Sequence, residues 1–155
     1  MPVLDLQALI DDRVTAIRRF HEHVGSKRAE LDLSGGIDSA LMLGLLTRAL
    51  GPENIVTVYS SIHSSTGSRD RAREAAAAFA VPLVELDMTR LFDELVGSMR
   101  QALIAAGYDG EALDARTRKG PTVLGSIRSC LRAPVGRGFN RMTGGGIRHG
   151  TGNEC

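Results

Sequence analysis

The feature that most limits how this chain can fold is an alternation of short β-rich runs with stretches of helical periodicity. AELDL (29–33), NIVTVYS (54–60) and VPLVELD (81–87) predict strands, being β-branched or alternating and bounded by turn residues. Between and around them, apolar residues recur at helical spacing. Leu6, Leu9, Ile10, Val14, Ile17 and Phe20, with Asp5 as a cap, predict a helix over 5–24. A second runs from about Ser39 to Leu50, stopped by Gly51-Pro52. An alanine-rich third covers 68–80 with Ser68 as its cap, and a fourth runs from Thr89 to about Ala106. Strand-helix-strand units of this length close through right-handed crossovers, so the expected fold is α/β, a parallel sheet with helices on both faces. Ligands of such sheets sit where loops leave the carboxyl ends of the strands. Here those loops are 34–38, 60–67 and 87–89.

Beyond Ala106 the pattern weakens. Eleven of the 18 glycines lie from Gly107 onward, and RAPVGRGFNRMTGGG (132–146) is rich in helix breakers. A short helix around 121–132 and a last strand at 146–149 are the expected elements. That strand is unusually polar, with Arg148 and His149 where a buried parallel strand favours Val or Leu.

At 155 residues, 43% hydrophobic and 24% charged, the chain has the composition of one globular domain, read as spanning 1–155. No apolar run approaches the roughly 18–20 residues of a membrane span. The opening MPVLDLQALIDD is acidic and amphipathic, unlike a secretory signal. Two distant cysteines, Cys130 and Cys155, suggest neither a disulfide framework nor a metal cluster, so reducing cytoplasm is the expected compartment. The net charge of +1 conceals a basic end: from Arg116 onward there are eight basic residues and one acid. With Phe139 as the one aromatic there to stack a base, nucleic acid is not the expected partner, and small-molecule phosphates fit the charge equally well.

Ser34-Gly35-Gly36-Ile37-Asp38-Ser39 joins the first predicted strand to a helix. Two glycines permit positive φ and let backbone N–H groups converge on an anion; the hydroxyls of Ser34 and Ser39 add donors, and the helix N-terminus adds positive potential. A carboxylate in such a loop repels phosphate unless it holds Mg²⁺, which reverses the repulsion. The alternative is a plain tight turn in which Asp38 caps the helix. No Lys follows the glycines, so this is not a Walker loop.

The SGGIDS loop resembles the signature of the N-type ATP pyrophosphatases, relatives of the adenine nucleotide α-hydrolases with a Rossmann-like parallel sheet. Within that group, LDLSGGIDSALMLGLL (31–46), Tyr59 to Ser65, GSIRSCLR (125–132) and GTGN (150–153) are similar to segments of NAD synthetase. The resemblance implies ATP-dependent amidation of deamido-NAD (nicotinate adenine dinucleotide) by ammonia through an acyl-adenylate. The products are NAD, AMP and pyrophosphate. It implies that Ser34, Gly35, Gly36, Ile37, Asp38, Ser39, Ser60, Arg132 and Thr151 bind ATP and its pyrophosphate, that Asp38 holds Mg²⁺, and that Ser61 also lines the adenine side. A homodimer is implied as well. The family segment carries Asn and Arg where this chain has Ser126 and Cys130. NAD synthetases are longer, so the chain is expected to match their N-terminal part, without a glutaminase domain.

Two other functions fit the same loop: an ATP-binding fragment without turnover, or a transfer-RNA-modifying relative using Cys130 as its catalytic cysteine. Other polar residues have plainer expectations. His21 and His23 with Glu22, and Arg69, Arg71 and Arg73, are read as solvated helix faces; His63 as a solvated loop histidine; Leu41 to Leu46 as core.

Overall fold

The computed structural model describes residues 5–118 and 121–151. In chain order the elements are α1 (Leu6–Val24), β1 (Ala29–Asp32), α2 (Ile37–Leu50), a 3₁₀ turn (Pro52–Asn54), β2 (Ile55–Ser61), α3 (Thr66–Ala78), β3 (Leu83–Asp87), α4 (Thr89–Ala105), α5 (Gly110–Arg118), α6 (Pro121–Met142) and β4 (Ile147–His149). The four strands form one sheet in the order β3-β2-β1-β4, all parallel. Leu31 pairs with Thr57 on one side and His149 on the other, and Thr57 with Leu83.

Alternation along each strand sends side chains to opposite faces. Ala29, Leu31 and Leu33 of β1 and its exit, with Ile55 and Tyr59 of β2, meet Leu43 and Leu46 of α2 and Ala72 and Ala76 of α3. Each Leu fully withdrawn from water here contributes roughly 1.5–3 kcal/mol. Helix α1 lies against α2, with Ile17 on that cluster and Arg18 donating to the carbonyls of Arg48 and Ala49 at 2.7 and 3.0 Å. A second cluster joins Ile62, Met88 and Phe92 to Val96 of α4 and Leu124, Ile127, Leu131 and Val135 of α6. Helices therefore cover both faces, as expected.

The predicted α1 matches to the residue: Asp5 caps it by accepting from the Ala8 amide at 3.0 Å, and Gly25 ends it at φ 72°. Helix α3 starts earlier than expected, with Ser65 as its N-cap. Leu41 is exposed, unlike Leu43 and Leu46. The larger departure is α6, which runs through the breaker-rich stretch with Pro134 inside it. Proline there withholds one backbone donor and strains the turn before it. The stripe Leu124, Ile127, Leu131, Val135 recurs at helical spacing, and its burial against α4 and Ile62 offsets that loss. Helix α5, tied to α4 by a bidentate Arg100–Asp114 pair at 2.7 and 2.8 Å, was not legible in the sequence.

The two polar residues of β4 each have a partner. Arg148 lies on the α6 face with Glu30 and Asp32, and His149 lies on the α2 face against His21. His21 is thus 3% exposed and not part of a solvated face. Its Nδ1–H donates to the Ser26 carbonyl at 2.7 Å, so when His21 is neutral its Nε2 accepts from His149 Nε2–H at 2.9 Å. The stacked rings, 5.2 Å between centroids, seat the end of α1 on the edge strand. Among the described residues no helix is long and apolar enough to cross a membrane.

Candidate nucleotide site

The turn from β1 into α2 is built from its own hydroxyls. Ser39 Oγ–H donates to the Gly36 carbonyl at 2.9 Å, and Ser34 Oγ accepts from the Gly36 amide at 3.2 Å. The two hydroxyls lie 3.1 Å apart, and since Ser39 has used its proton, Ser34 is the donor between them. Gly35 adopts φ 78°, and a Cβ there would stand 2.1 Å from the Ser68 carbonyl oxygen. Glycine is required twice over, by the left-handed backbone and by the close approach of α3. Arg71 donates to the Gly35 carbonyl at 2.9 Å, so it braces the loop where a solvated face was expected.

Gly36 is the N-cap of α2, and no side chain caps the helix. The amides of Ile37, Asp38 and Ser39 belong to the first turn and have no intrahelical partner. Ile37 is 81% exposed and Asp38 is exposed, whereas Ser39 is buried, its hydroxyl closing the turn from inside. The loop therefore presents backbone donors and one carboxylate to solvent at a helix N-terminus, a suitable arrangement for an anion with an accompanying cation.

Beside the loop, at the carboxyl ends of β1 and β2, lies a cleft of about 200 Å³ lined by Asp32, Leu33, Ser34, Val58, Tyr59, Ser60, Ser64, Ser68 and Arg132. It brings Ser34, Ser60 and Arg132, three of the residues expected from sequence, to one place. Arg132 reaches over from α6 and donates through Nε to the Ser60 carbonyl at 3.1 Å. Tyr59 Oη and Ser68 Oγ share a hydrogen bond of 2.8 Å across the floor. Two polar atoms of the lining, Ser60 Oγ and Asp32 Oδ1, are buried without a partner among the described residues. Leaving a buried polar atom unsatisfied costs about 1–3 kcal/mol, which marks the cleft as a place for a polar ligand.

Asp38 and Thr151 stand apart from the cleft lining. Thr151 follows β4, and because His149 pairs with Leu31 the chain leaves the sheet at the same edge as Leu33 and Ser34. The rest of GTGN, Gly152 and Asn153, lies outside the described residues, as does Cys155. No group of three His, Cys, Asp or Glu side chains able to cage a metal occurs among the described residues. Asp38, exposed and not acting as a cap, fits the way Mg²⁺ is commonly held, by one or two carboxylates together with substrate phosphates and water.

His63 sits at φ 49°, its Nε2 2.7 Å from Asp93 Oδ1. Arg69 and Arg73 pair with Glu85, whose carboxyl the Arg73 guanidinium holds below its ordinary range. Asp32, Tyr59, Ser64 and Ser68 also line the cleft but are not among the nucleotide-binding residues expected from sequence, Ser68 being expected as a helix cap. The signal available was acidic residues at alternate positions of a central strand, Glu30 and Asp32, which a buried sheet tolerates only with a partner.

A family model described as NAD synthase matches residues 9–123. A curated relative, the NH(3)-dependent NAD(+) synthetase of Chlorobium phaeobacteroides, is 30% identical over 92% of this chain and 60% of its own length. The chain spans 58% of the NH3-dependent NAD synthetase of Campylobacter jejuni, which resembles it in fold with a TM-score of 0.74 over 97% of this chain at 20% identity. The glutamine-dependent NAD+ synthetase of Acinetobacter baumannii, solved with ADP, gives a TM-score of 0.79 over 99% of this chain and 27% of its own, at 24% identity. With the family model matching it from residue 9 to 123, the chain belongs to the NAD synthase family.

Proposed function

We propose that this chain carries the ATP-binding half of an ammonia-dependent NAD synthetase, activating deamido-NAD with ATP. The observation that supports the reading most strongly is the Ser34–Ser39 turn: a strand-to-helix loop with Gly35 locked at positive φ, free first-turn amides and an exposed Asp38, opening beside a cleft that holds Arg132. On this reading the amides of Ile37 to Ser39 and the Arg132 guanidinium take the pyrophosphate oxygens, while Ser60 and Thr151 contact the nucleoside end. Mg²⁺, held by Asp38 and the phosphates, supplies charge neutralisation on the leaving group when bound. The nicotinate carboxylate oxygen attacks the α-phosphorus, the bond to pyrophosphate breaks, and an acyl-adenylate forms. Ammonia then adds to the acyl carbon, AMP departs with the bonding pair, and the nitrogen loses a proton to water. The chain contributes positioning and charge more than proton transfer. The second nucleotide end of deamido-NAD is assigned to a homodimer partner.

The test is pyrophosphate release from ATP with Mg²⁺, deamido-NAD and ammonia, beside Asp38→Ala. Release that requires deamido-NAD and is lost in Asp38→Ala is the expected result. ATP binding without release would leave a nucleotide-binding chain and overturn the proposed turnover.

A further inference from the structure

β4 is a three-residue strand at the edge of the sheet, paired with β1. On the face opposite the His149–His21 contact, one guanidinium ties it to its neighbours. Arg148 Nη2 donates to Asp32 Oδ2, its Nε lies 3.5 Å from Glu30 Oε1, and its Nη1 donates to the Ala133 carbonyl of α6 at 2.8 Å. Helix α6 passes close above it at Gly136: a Cβ there would stand 2.4 Å from Arg148 Cζ, so the guanidinium could not keep this position beside a larger residue. A buried ion pair of this kind gains little net stability over apolar residues of similar volume. Its geometric effect is larger. A planar fork can serve three partners in fixed directions, which an ammonium cannot.

Two of the three partners, Asp32 and Ala133, lead to the cleft. Asp32 lines it, and with Oδ2 taken its other oxygen, Oδ1, is the one left without a partner. Ala133 follows Arg132, so holding the Ala133 carbonyl holds the turn from which Arg132 reaches Ser60. His149, Gly150 and Thr151 follow Arg148 directly. We infer that Arg148 is a positioning residue for the nucleotide cleft, clamping β4, β1 and α6 so that Asp32, Arg132 and Thr151 present to ATP together. The inference rests on the ATP reading only for its ligand; the clamp exists without one.

The experiment compares the whole chain with Arg148→Lys and, as a milder change, Asp32→Asn. In ligand-free protein, hydrogen exchange of the Arg132 Nε–H and of the Ile147 amide, which donates to the Arg28 carbonyl at 2.9 Å, is measured by NMR beside the Val58 and Tyr59 amides of β2; ATP·Mg²⁺ affinity is measured by calorimetry. Groups that orient the ligands of a bound metal typically change affinity or activity by about 10–100-fold, and the same scale is taken for a guanidinium that orients a nucleotide cleft. Arg148→Lys is therefore expected to speed exchange at Arg132 and Ile147 and to weaken ATP roughly tenfold, with β2 protection unchanged. Asp32→Asn should shift the same two signals in the same direction by less, and it decides the matter if Arg148→Lys does not fold. Unchanged exchange at both signals, or a rise shared equally by β2, would overturn the clamp. Wild-type chain that binds no ATP would overturn the ATP reading, while the exchange arm still judges Arg148.

Discussion

Gly35→Ala isolates the physical argument for the loop. Two separate costs follow from the structure. Holding an L-residue at φ 78° costs roughly 1–2 kcal/mol. The new methyl would also lie 2.1 Å from a backbone oxygen, Ser68, which cannot rotate away as a side chain would. Relieving it means shifting the start of α3 or the loop by more than an ångström, an overpacking cost of about 1–3 kcal/mol. The two together amount to about 2–5 kcal/mol, a large part of the roughly 5–15 kcal/mol of a typical domain. The neighbouring Gly36→Ala is the control: its backbone is extended and a Cβ meets only the Ser34 hydroxyl at 3.3 Å. Urea unfolding of both variants, with the slope checked for constancy, reads the difference directly. Gly35→Ala within about 0.5 kcal/mol of wild type, or equal to Gly36→Ala, would refute the claim that the loop is wedged against α3.

Leu43→Ala, at a fully buried position, should lose about 2–5 kcal/mol in the same assay. Leu41→Ala, two residues away and 59% exposed, should stay within about 0.5 kcal/mol. Burial, with the His21 ring adding to it, holds the His149 imidazole below its ordinary value of 6.5, so the unfolded chain takes that proton first. The stability it contributes is present above pH 6.5 and lost as pH falls toward the folded value; His149→Gln should flatten that slope in unfolding measured between pH 5 and 7. Glu30 has the opposite sign: burial raises its carboxyl above 4.5 against the pull of Arg148, so its effect is a loss of stability as pH rises from 4.5 through the folded value, and Glu30→Gln should remove it.

How much of this was readable in advance differs along the chain for physical reasons. Through Ala105 each element carries its own local signal: Asp5 at a cap, Gly51-Pro52 at a stop, strict alternation in AELDL. The second half of α6 does not: a helix was expected over about 121–132, but Pro134, Gly136 and Gly138 lower the propensity beyond it, and what sustains the helix is a stripe whose partners, Ile62, Met88 and Phe92, lie far away in sequence. One of those glycines, Gly136, leaves the space that the Arg148 guanidinium occupies. The same holds for the site. The Ser34–Ser39 loop is a contiguous motif, legible as such, but Asp32 and Ser68 enter the cleft only through sheet register and the approach of α3. His21 and Arg71 looked like surface residues because the partners that occupy them, His149 and the Gly35 carbonyl, are supplied by tertiary structure.

The central claim is that ATP binds where β1 turns into α2. Titrating ATP·Mg²⁺ into isotope-labelled chain and following backbone amides tests it most directly. The largest shifts are expected at Gly35 to Ser39, with Ser60 and the Arg132 side chain following on the same isotherm, and the response at the loop is lost in Asp38→Ala. Shifts confined to another region, such as the Arg137 and Arg141 surface of α6, or none at saturating ATP·Mg²⁺ in a folded chain, would contradict it.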